Sequence, residues 1–363
     1  LLDLTVSNPT RAGIRYPSEQ LASALTPPRD LVYEPDPRGL AAARDAVAHY
    51  YAGRGVGVDR DRVVLTASTS EAYALLFKVL ADPGDEVLVP VPSYPLFEHL
   101  ARAECVAPVP YRLEGDAAWR IDCADVLAAV TERTRALVVV SPNNPTGSVL
   151  TERELTDLVS ICRMHGLAIV CDEVFADYIH ASSPSHVASV AAEAGVLTFT
   201  LNGLSKIAGL PYVKLGWIVA NGPREILAEA LERLEFAADL YLSVATPVQH
   251  ALPPLLALAP EIQIEIRERL ARNRTWLDAR FGAEGAIRAL KAEGGWYALV
   301  RVPRVVADER LAVELVERDG VLAHPGYFFG FERAEVLVVS LLTEPVAFRA
   351  GIERILAGVH RHL

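Results

Sequence analysis

Up to about residue 245, short runs of consecutive apolar residues alternate with longer stretches in which apolar residues recur every three or four positions. The short runs lie at residues 63–65, 86–89, 106–111, 136–141, 167–172, 198–201 and 215–220. Their length and β-branched content are those of buried strands. The longer stretches predict helices at 40–51, 71–80, 96–104, 124–130, 152–165 and 224–236. In the first of these, Leu40, Ala43, Val47 and Tyr50 or Tyr51 share one face. Near-continuous apolar strands separated by amphipathic helices predict an α/β fold, a mostly parallel sheet covered by helices on both faces.

After residue 245 the pattern changes. Pro247, Pro253, Pro254 and Pro260 punctuate the chain, and a long charged helix is predicted from 261 to 281. Segments 296–302, 311–316 and 336–341 then mix strand and helix spacings, as in a smaller α+β domain. At the other end, residues 2–7 alternate weakly and break at Asn8-Pro9-Thr10, which reads as an ordered arm and not a helix. Residues 33–39 form a proline-bearing, rigid loop. The expected division is an arm at 1–30, a large domain at 31–245 and a small domain at 246–363.

Composition narrows the function. Of 363 residues, 51% are hydrophobic and 22% charged, which fits a globular protein with a large core. The net charge of −11, with no basic stripe, argues against nucleic acid as a partner. No apolar run reaches the ~18–20 residues that cross a bilayer, and no membrane partner is expected. The chain starts at Leu1 instead of a methionine, and no signal-peptide pattern is read there. Cys105, Cys123, Cys162 and Cys171 show no metal-ligand spacing, and Cys162 and Cys171 read as small core residues. A reducing cytoplasm and no metal are expected. Asn273-Arg274-Thr275 matches a glycosylation sequon and is read as chance.

Chemistry enters where strands end. A strand, the small polar turn Thr66-Ala67-Ser68-Thr69-Ser70 and a helix aim backbone N–H groups and a helix dipole at one point, a ready phosphate site. Lys206 stands on a tight turn between two buried strands. Burial favours its neutral amine, which can form a Schiff base with a carbonyl. Ser68–Ser70, Tyr94, Asn144, Asp172 and Lys206 all follow or close a strand, at the rim where open parallel sheets bind ligands.

Three motifs occur in a fixed order: Ser141-Pro-Asn-Asn-Pro-Thr-Gly147, Asp172-Glu-Val-Phe175, and Gly203-Leu-Ser-Lys-Ile-Ala-Gly209 with Gly216 beyond it. Together they resemble the fold-type-I, pyridoxal-phosphate-dependent aminotransferases of class I and II, over nearly the whole chain. The resemblance implies a homodimer, with the N-terminal arm joining the small domain. It also implies a role for each matching residue. Lys206 would carry the cofactor as a Schiff base and shuttle a proton at the substrate Cα. Asp172 would keep the pyridine nitrogen protonated. Asn144 would donate to the ring hydroxyl, and Tyr94 would stack on the ring. Ser68, Thr69, Ser70 and Ser205 would cradle the phosphate, joined by Tyr33 of the neighbouring subunit. Asn8, Arg11, Arg15 and Tyr327 would border an amino acid or oxo acid substrate, with Tyr297 on the small-domain side.

Three positions depart from the family pattern. Phe175 stands where a tyrosine is usual, so the Schiff base should hold its proton to higher pH. Lys214 replaces an arginine at the phosphate and loses the bidentate fork. Val338 stands where an arginine usually receives the substrate carboxylate, which leaves Arg11 and Arg15 as substitutes. The expected activity is amino-group transfer between an amino acid and a 2-oxo acid. The same scaffold also serves lyases and decarboxylases, and a non-catalytic effector-binding domain is a third reading. The acidic charge and the absence of a DNA-binding module ahead of the arm oppose that third reading.

Overall fold

The fold is given by a computed structural model that describes residues 1–26, 33–115, 119–180, 183–281, 287–304, 307–331 and 336–363. Eight strands form one sheet in the order Val63–Thr66, Gly216–Asn221, Thr198–Gly203, Ala168–Asp172, Thr134–Val140, Glu86–Val91, Ala107–Glu114 and Arg120–Ile121. From Thr198–Gly203 to Ala107–Glu114 every pairing is parallel. Gly216–Asn221 runs antiparallel to both neighbours, and Arg120–Ile121 is antiparallel at the edge.

Both faces of the sheet are covered, which is why its strands read as unbroken apolar runs. Ala136, Val138 and Val140 pack with Leu76, Phe97 and Leu234, from the helices Thr69–Leu80, Leu96–Ala103 and Arg224–Asp239. Leu137 and Val139 face the other way, against Val126, Leu158 and Cys162 of the helices Cys123–Ala129 and Glu152–His165. Cys171 shares that second core, so two of the four cysteines are apolar filling.

A second, four-stranded antiparallel sheet runs Arg288–Ala289, Tyr297–Arg301, Val336–Ser340, His324–Pro325. Its residues Ala298, Val300, Leu337 and Val339 share a core with Leu311, Leu315, Phe348 and Ile352, from the helices Asp308–Asp319 and Pro345–His360. The N-terminal arm is threaded through this unit. Leu2–Asp3 pairs with Val321–Leu322, and the Ser340 N–H donates to the Leu4 carbonyl at 2.7 Å.

One expectation needs correction, and one element was not foreseen. The long helix does not start at residue 261; it runs from Thr246 to Phe281 with Pro253, Pro254 and Pro260 inside it. An interior proline costs ~3 kcal/mol or more. Here Ala251, Leu252, Leu255, Ala259 and Ile262 continue one buried stripe across the prolines, and burying each large apolar side chain contributes roughly 1.5–3 kcal/mol. Tertiary burial overrides the local break. The arm also contains a short helix, Ser18–Ala24, that the pattern did not predict. Its one buried residue, Leu21, cannot produce a periodicity. The expected boundary between residues 30 and 31 falls outside the described residues.

Asn273 lies on the long helix, buried, and its Nδ2 donates to the carbonyls of Leu341 and Thr343 at 2.8 and 2.7 Å. The sequon is a helix-to-sheet clamp. Among the described residues, no helix is long and apolar enough to cross a membrane.

Candidate active site

The parallel strands deliver their C-terminal ends to one rim, where Asp172 closes its strand and Lys206 follows Gly203. The antiparallel strand starts at the same rim with Gly216, which is opposite Gly203. A Cβ on Gly203 would meet the Gly216 Cα at 2.9 Å. One on Gly216 would meet the Ser68 carbonyl carbon at 3.3 Å and the Asn202 oxygen at 3.0 Å. The glycine pair therefore lets three segments close up: the Ser68 turn, the Ser205–Lys206 turn and the start of the last strand.

Asp172 is buried, and burial pushes its carboxyl up to about 6. The Val174 N–H at 3.1 Å, the Tyr73 hydroxyl at 3.2 Å and the charge of Lys206 pull the other way. Burial pushes the Lys206 ammonium down, against the pull of Asp172. The Lys206 Nζ lies 5.0 Å from the Trp296 ring centroid and 5.6 Å from that of Phe175. Burial thus favours the neutral, nucleophilic amine, while the carboxylate and the two ring faces favour the ammonium.

Ser68 caps the helix Thr69–Leu80 by accepting from the Glu71 N–H at 3.1 Å. Thr69 and Ser70 form its first turn, half-buried, where free N–H groups favour an anion. Glu71 reaches back to the Ala67 N–H and accepts from the Ser243 hydroxyl at 2.7 Å, which fixes the turn. Ser205 is half-buried. Lys214 is exposed, with a left-handed φ of 58°. Tyr33 is 68% exposed on the face shared with Tyr241 and Leu242. Asn144 is buried, and its Oδ1 has no partner among the described residues.

Tyr94, 45% exposed, is close enough to Asp172 for that charge to help burial raise its phenol. Tyr297 shares a hydrogen bond with Ser7 and senses Tyr94, which puts the arm and the second sheet at the same site. The arm is also pinned by the Tyr16 hydroxyl on the Gly209 carbonyl at 2.7 Å. Asn8 caps the turn Pro9–Arg11, and its Oδ1 accepts from the Thr10 N–H at 3.1 Å. Arg15 pairs with Glu265 of the long helix, whereas Arg11 is exposed on the arm. Tyr327 is half-exposed and meets Phe328 edge-on. Val338 is fully buried with Leu290, Leu299, Phe329 and Val336, with no room for a charge.

Two side chains at the site were not singled out from the sequence. Tyr73 lies on the apolar stripe of its helix and reads as core. Trp296 reads as the start of a strand. Only tertiary structure brings each to Asp172 or Lys206.

These residues fit pyridoxal phosphate. A helix N-terminus with hydroxyls suits the phosphate, a buried carboxylate suits a protonated ring nitrogen, and the unpartnered Asn144 Oδ1 could accept from a ring hydroxyl. Residues 3–349 match the family described as aminotransferase class I and II. A glutamate–pyruvate aminotransferase of Haemophilus influenzae is 30% identical over 339 residues, 91% of this chain and 83% of that protein. An alanine aminotransferase structure from Pyrococcus furiosus superposes with a TM-score of 0.88 at 25% identity, covering 99% of this chain and 92% of that one. A mutant aspartate aminotransferase of Thermus thermophilus gives 0.83 at 26% identity, over 99% and 91%. The chain belongs to the class I and II aminotransferases, pyridoxal-phosphate-dependent enzymes that transfer an amino group between amino acids and oxo acids.

Proposed function

We propose that Lys206 is the Schiff-base lysine of this enzyme and that alanine or glutamate is its amino donor, with pyruvate or 2-oxoglutarate as acceptor. The substrates are suggested by the relatives, whose names pair glutamate with pyruvate or specify alanine. The Lys206 assignment is carried by one observation: its Nζ lies against Trp296 and Phe175 at the rim that also holds the buried Asp172. Bound pyridoxal phosphate supplies an electron-poor ring that stabilises negative charge at the substrate Cα. Asp172 would hold the proton on the ring nitrogen, Asn144 the ring hydroxyl and Tyr94 the ring face. Ser68, Thr69, Ser70, Ser205 and Lys214 would bind the phosphate. The Lys206 Nζ would take the proton from the donor's Cα in one half-reaction and deliver one to the acceptor's Cα in the other. Phe175 and Trp296 keep bulk water from that amine.

Assembly as a cytoplasmic homodimer belongs to the same proposal. Tyr33, Phe236, Leu240 and Tyr241 are all exposed, and large apolar side chains left in water are what a second copy would cover. Tyr33 would reach the second copy's phosphate there. All four cysteines are free thiols, which suits a reducing compartment. Arm 1–30, large domain 31–245 and small domain 246–363 would be the working units, with the long helix opening the small domain.

The test is the visible spectrum of the purified protein. Wild type should be yellow, lose the band with alanine or glutamate, and regain it with an oxo acid. Lys206→Ala should not cycle. Ammonia release without an acceptor, or a Lys206→Ala protein that cycles normally, would sink the assignment.

A further inference from the structure

We propose that Asn202 and Tyr178 are positioning residues, which fix the Lys206 amine relative to the Asp172 carboxylate by tying together the two turns that carry them. The inference rests on the reading that Lys206 and Asp172 work as a pair.

The strands Ala168–Asp172 and Thr198–Gly203 are parallel neighbours, with Asp172 opposite Leu201. The last main-chain bond between them runs from the Glu173 N–H to the Leu201 carbonyl, at 2.9 Å. Beyond it the first chain leaves the sheet, while the second stays paired to Gly216–Asn221 alone as far as Gly203, so no ladder bond sets the spacing between the two. Two buried side chains take over. The Asn202 Nδ2 donates to the Glu173 carbonyl at 3.0 Å, while its Oδ1 accepts from the Gly203 N–H at 2.8 Å. The Tyr178 hydroxyl donates to the carbonyl of Lys206 itself, at 2.7 Å. One tie starts beside Asp172 and the other ends on the lysine.

Behind the ties stands a rigid frame. Asp177 accepts from the Tyr50 hydroxyl at 2.9 Å and from Arg54 at 3.0 Å, and Arg54 also donates to Tyr50 at 3.1 Å. The Arg267 Nε donates to the Asp177 carbonyl at 3.0 Å, and the Gln263 Nε2 to the Ile207 carbonyl at 2.9 Å. Both come from the long helix. Each turn is thus held to the other and to a common support. Packing alone would be served by apolar side chains, without the cost of burying an amide and a phenol. Reacting groups need placement well within 1 Å, and a misplacement of that size costs on the order of 100-fold in rate.

The test compares Tyr178→Phe with Tyr111→Phe. Tyr111 is as buried, and its hydroxyl also donates to a main-chain carbonyl, that of Val138, at 2.8 Å, but away from the lysine turn. Both variants should lose similar thermal stability. Only Tyr178→Phe should lower kcat, by about tenfold or more with KM nearly unchanged. It should also move the pH midpoint of the holoenzyme's visible band by about half a unit or more, a shift worth ~0.7 kcal/mol. In the chain stripped of cofactor, the pH midpoint for reductive methylation of Lys206 by formaldehyde with cyanoborohydride as reductant, read by mass spectrometry, should move as well. Asn202→Ala should repeat these changes and serves if Tyr178→Phe does not fold. Midpoints and kcat that match those of Tyr111→Phe would overturn the proposal. The methylation arm does not depend on catalysis: if Lys206→Ala still cycled, the functional assignment would fail while the positional comparison kept its meaning.

Discussion

Asp172 and Glu173 are adjacent buried carboxyls, and burial dominates both, pushing Asp172 up to about 6 and Glu173 up to about 7. Glu173 accepts from the Ser189 hydroxyl and the Val190 N–H at 2.8 and 2.7 Å, which only partly offsets its desolvation. Folded values above the unfolded ones mean that the folded state binds more protons between them. The associated stability is whole below the unfolded value and is lost as pH rises through the folded one. The cofactor-free chain should therefore weaken between about pH 4 and 7, by a few kcal/mol in all. Glu173→Gln should flatten that slope in urea midpoints taken across the range; parallel slopes for variant and wild type would exclude Glu173 as its source. A second prediction at this scale concerns Arg11. Val338 is sealed among apolar residues and Arg15 is paired with Glu265, so of the arm's two arginines we propose Arg11 for the substrate carboxylate. Arg11→Ala should raise the amino acid KM about tenfold, the scale of one charged hydrogen bond, while Arg15→Ala changes it less than about twofold. Equal effects would remove Arg11 from the site.

Elements were legible where the local and tertiary signals agree. The helix Glu152–His165 was readable to its ends because Thr151 and Glu154 form a capping box and Gly166 closes it at a φ of 67°. The rim residues were readable because a strand ending in a lone polar residue has few packing explanations. The helix Thr246–Phe281 was not, since three prolines argue locally against what burial enforces globally. Tyr73 was invisible for a related reason: it is 99 positions from Asp172, on a stripe that also fills the core. The paired glycines at the ends of two strands carry a prediction of their own. A methyl on Gly203 has backbone on two sides, the Gly216 Cα and the Leu215 oxygen, both at 2.9 Å. Gly203→Ala should cost about 1–3 kcal/mol in stability, as overpacking does, and should weaken retention of pyridoxal phosphate on dialysis. An alanine variant as stable as wild type that keeps its cofactor would show that the strand ends can part.

At the scale of the whole molecule, the two sheets are joined by segments that return to the lysine turn. The arm runs from the Val321–Leu322 strand past Ser340 and Tyr297 to Gly209, and the long helix touches the same turn through Gln263. The clamp at Asn273 belongs to this joinery, and it limits where the protein can be produced. Asn273-Arg274-Thr275 is an acceptor for oligosaccharide in any host that threads the chain, still unfolded, through a glycosylating compartment. A sugar on that Nδ2 would arrive before the carbonyls of Leu341 and Thr343 could claim it, and the helix could no longer close on the sheet. Secreted from such a host, the sugar-bearing fraction should be retained or aggregated, and Thr275→Ala should restore native yield. Folded, active protein still carrying the sugar would show that the clamp is dispensable.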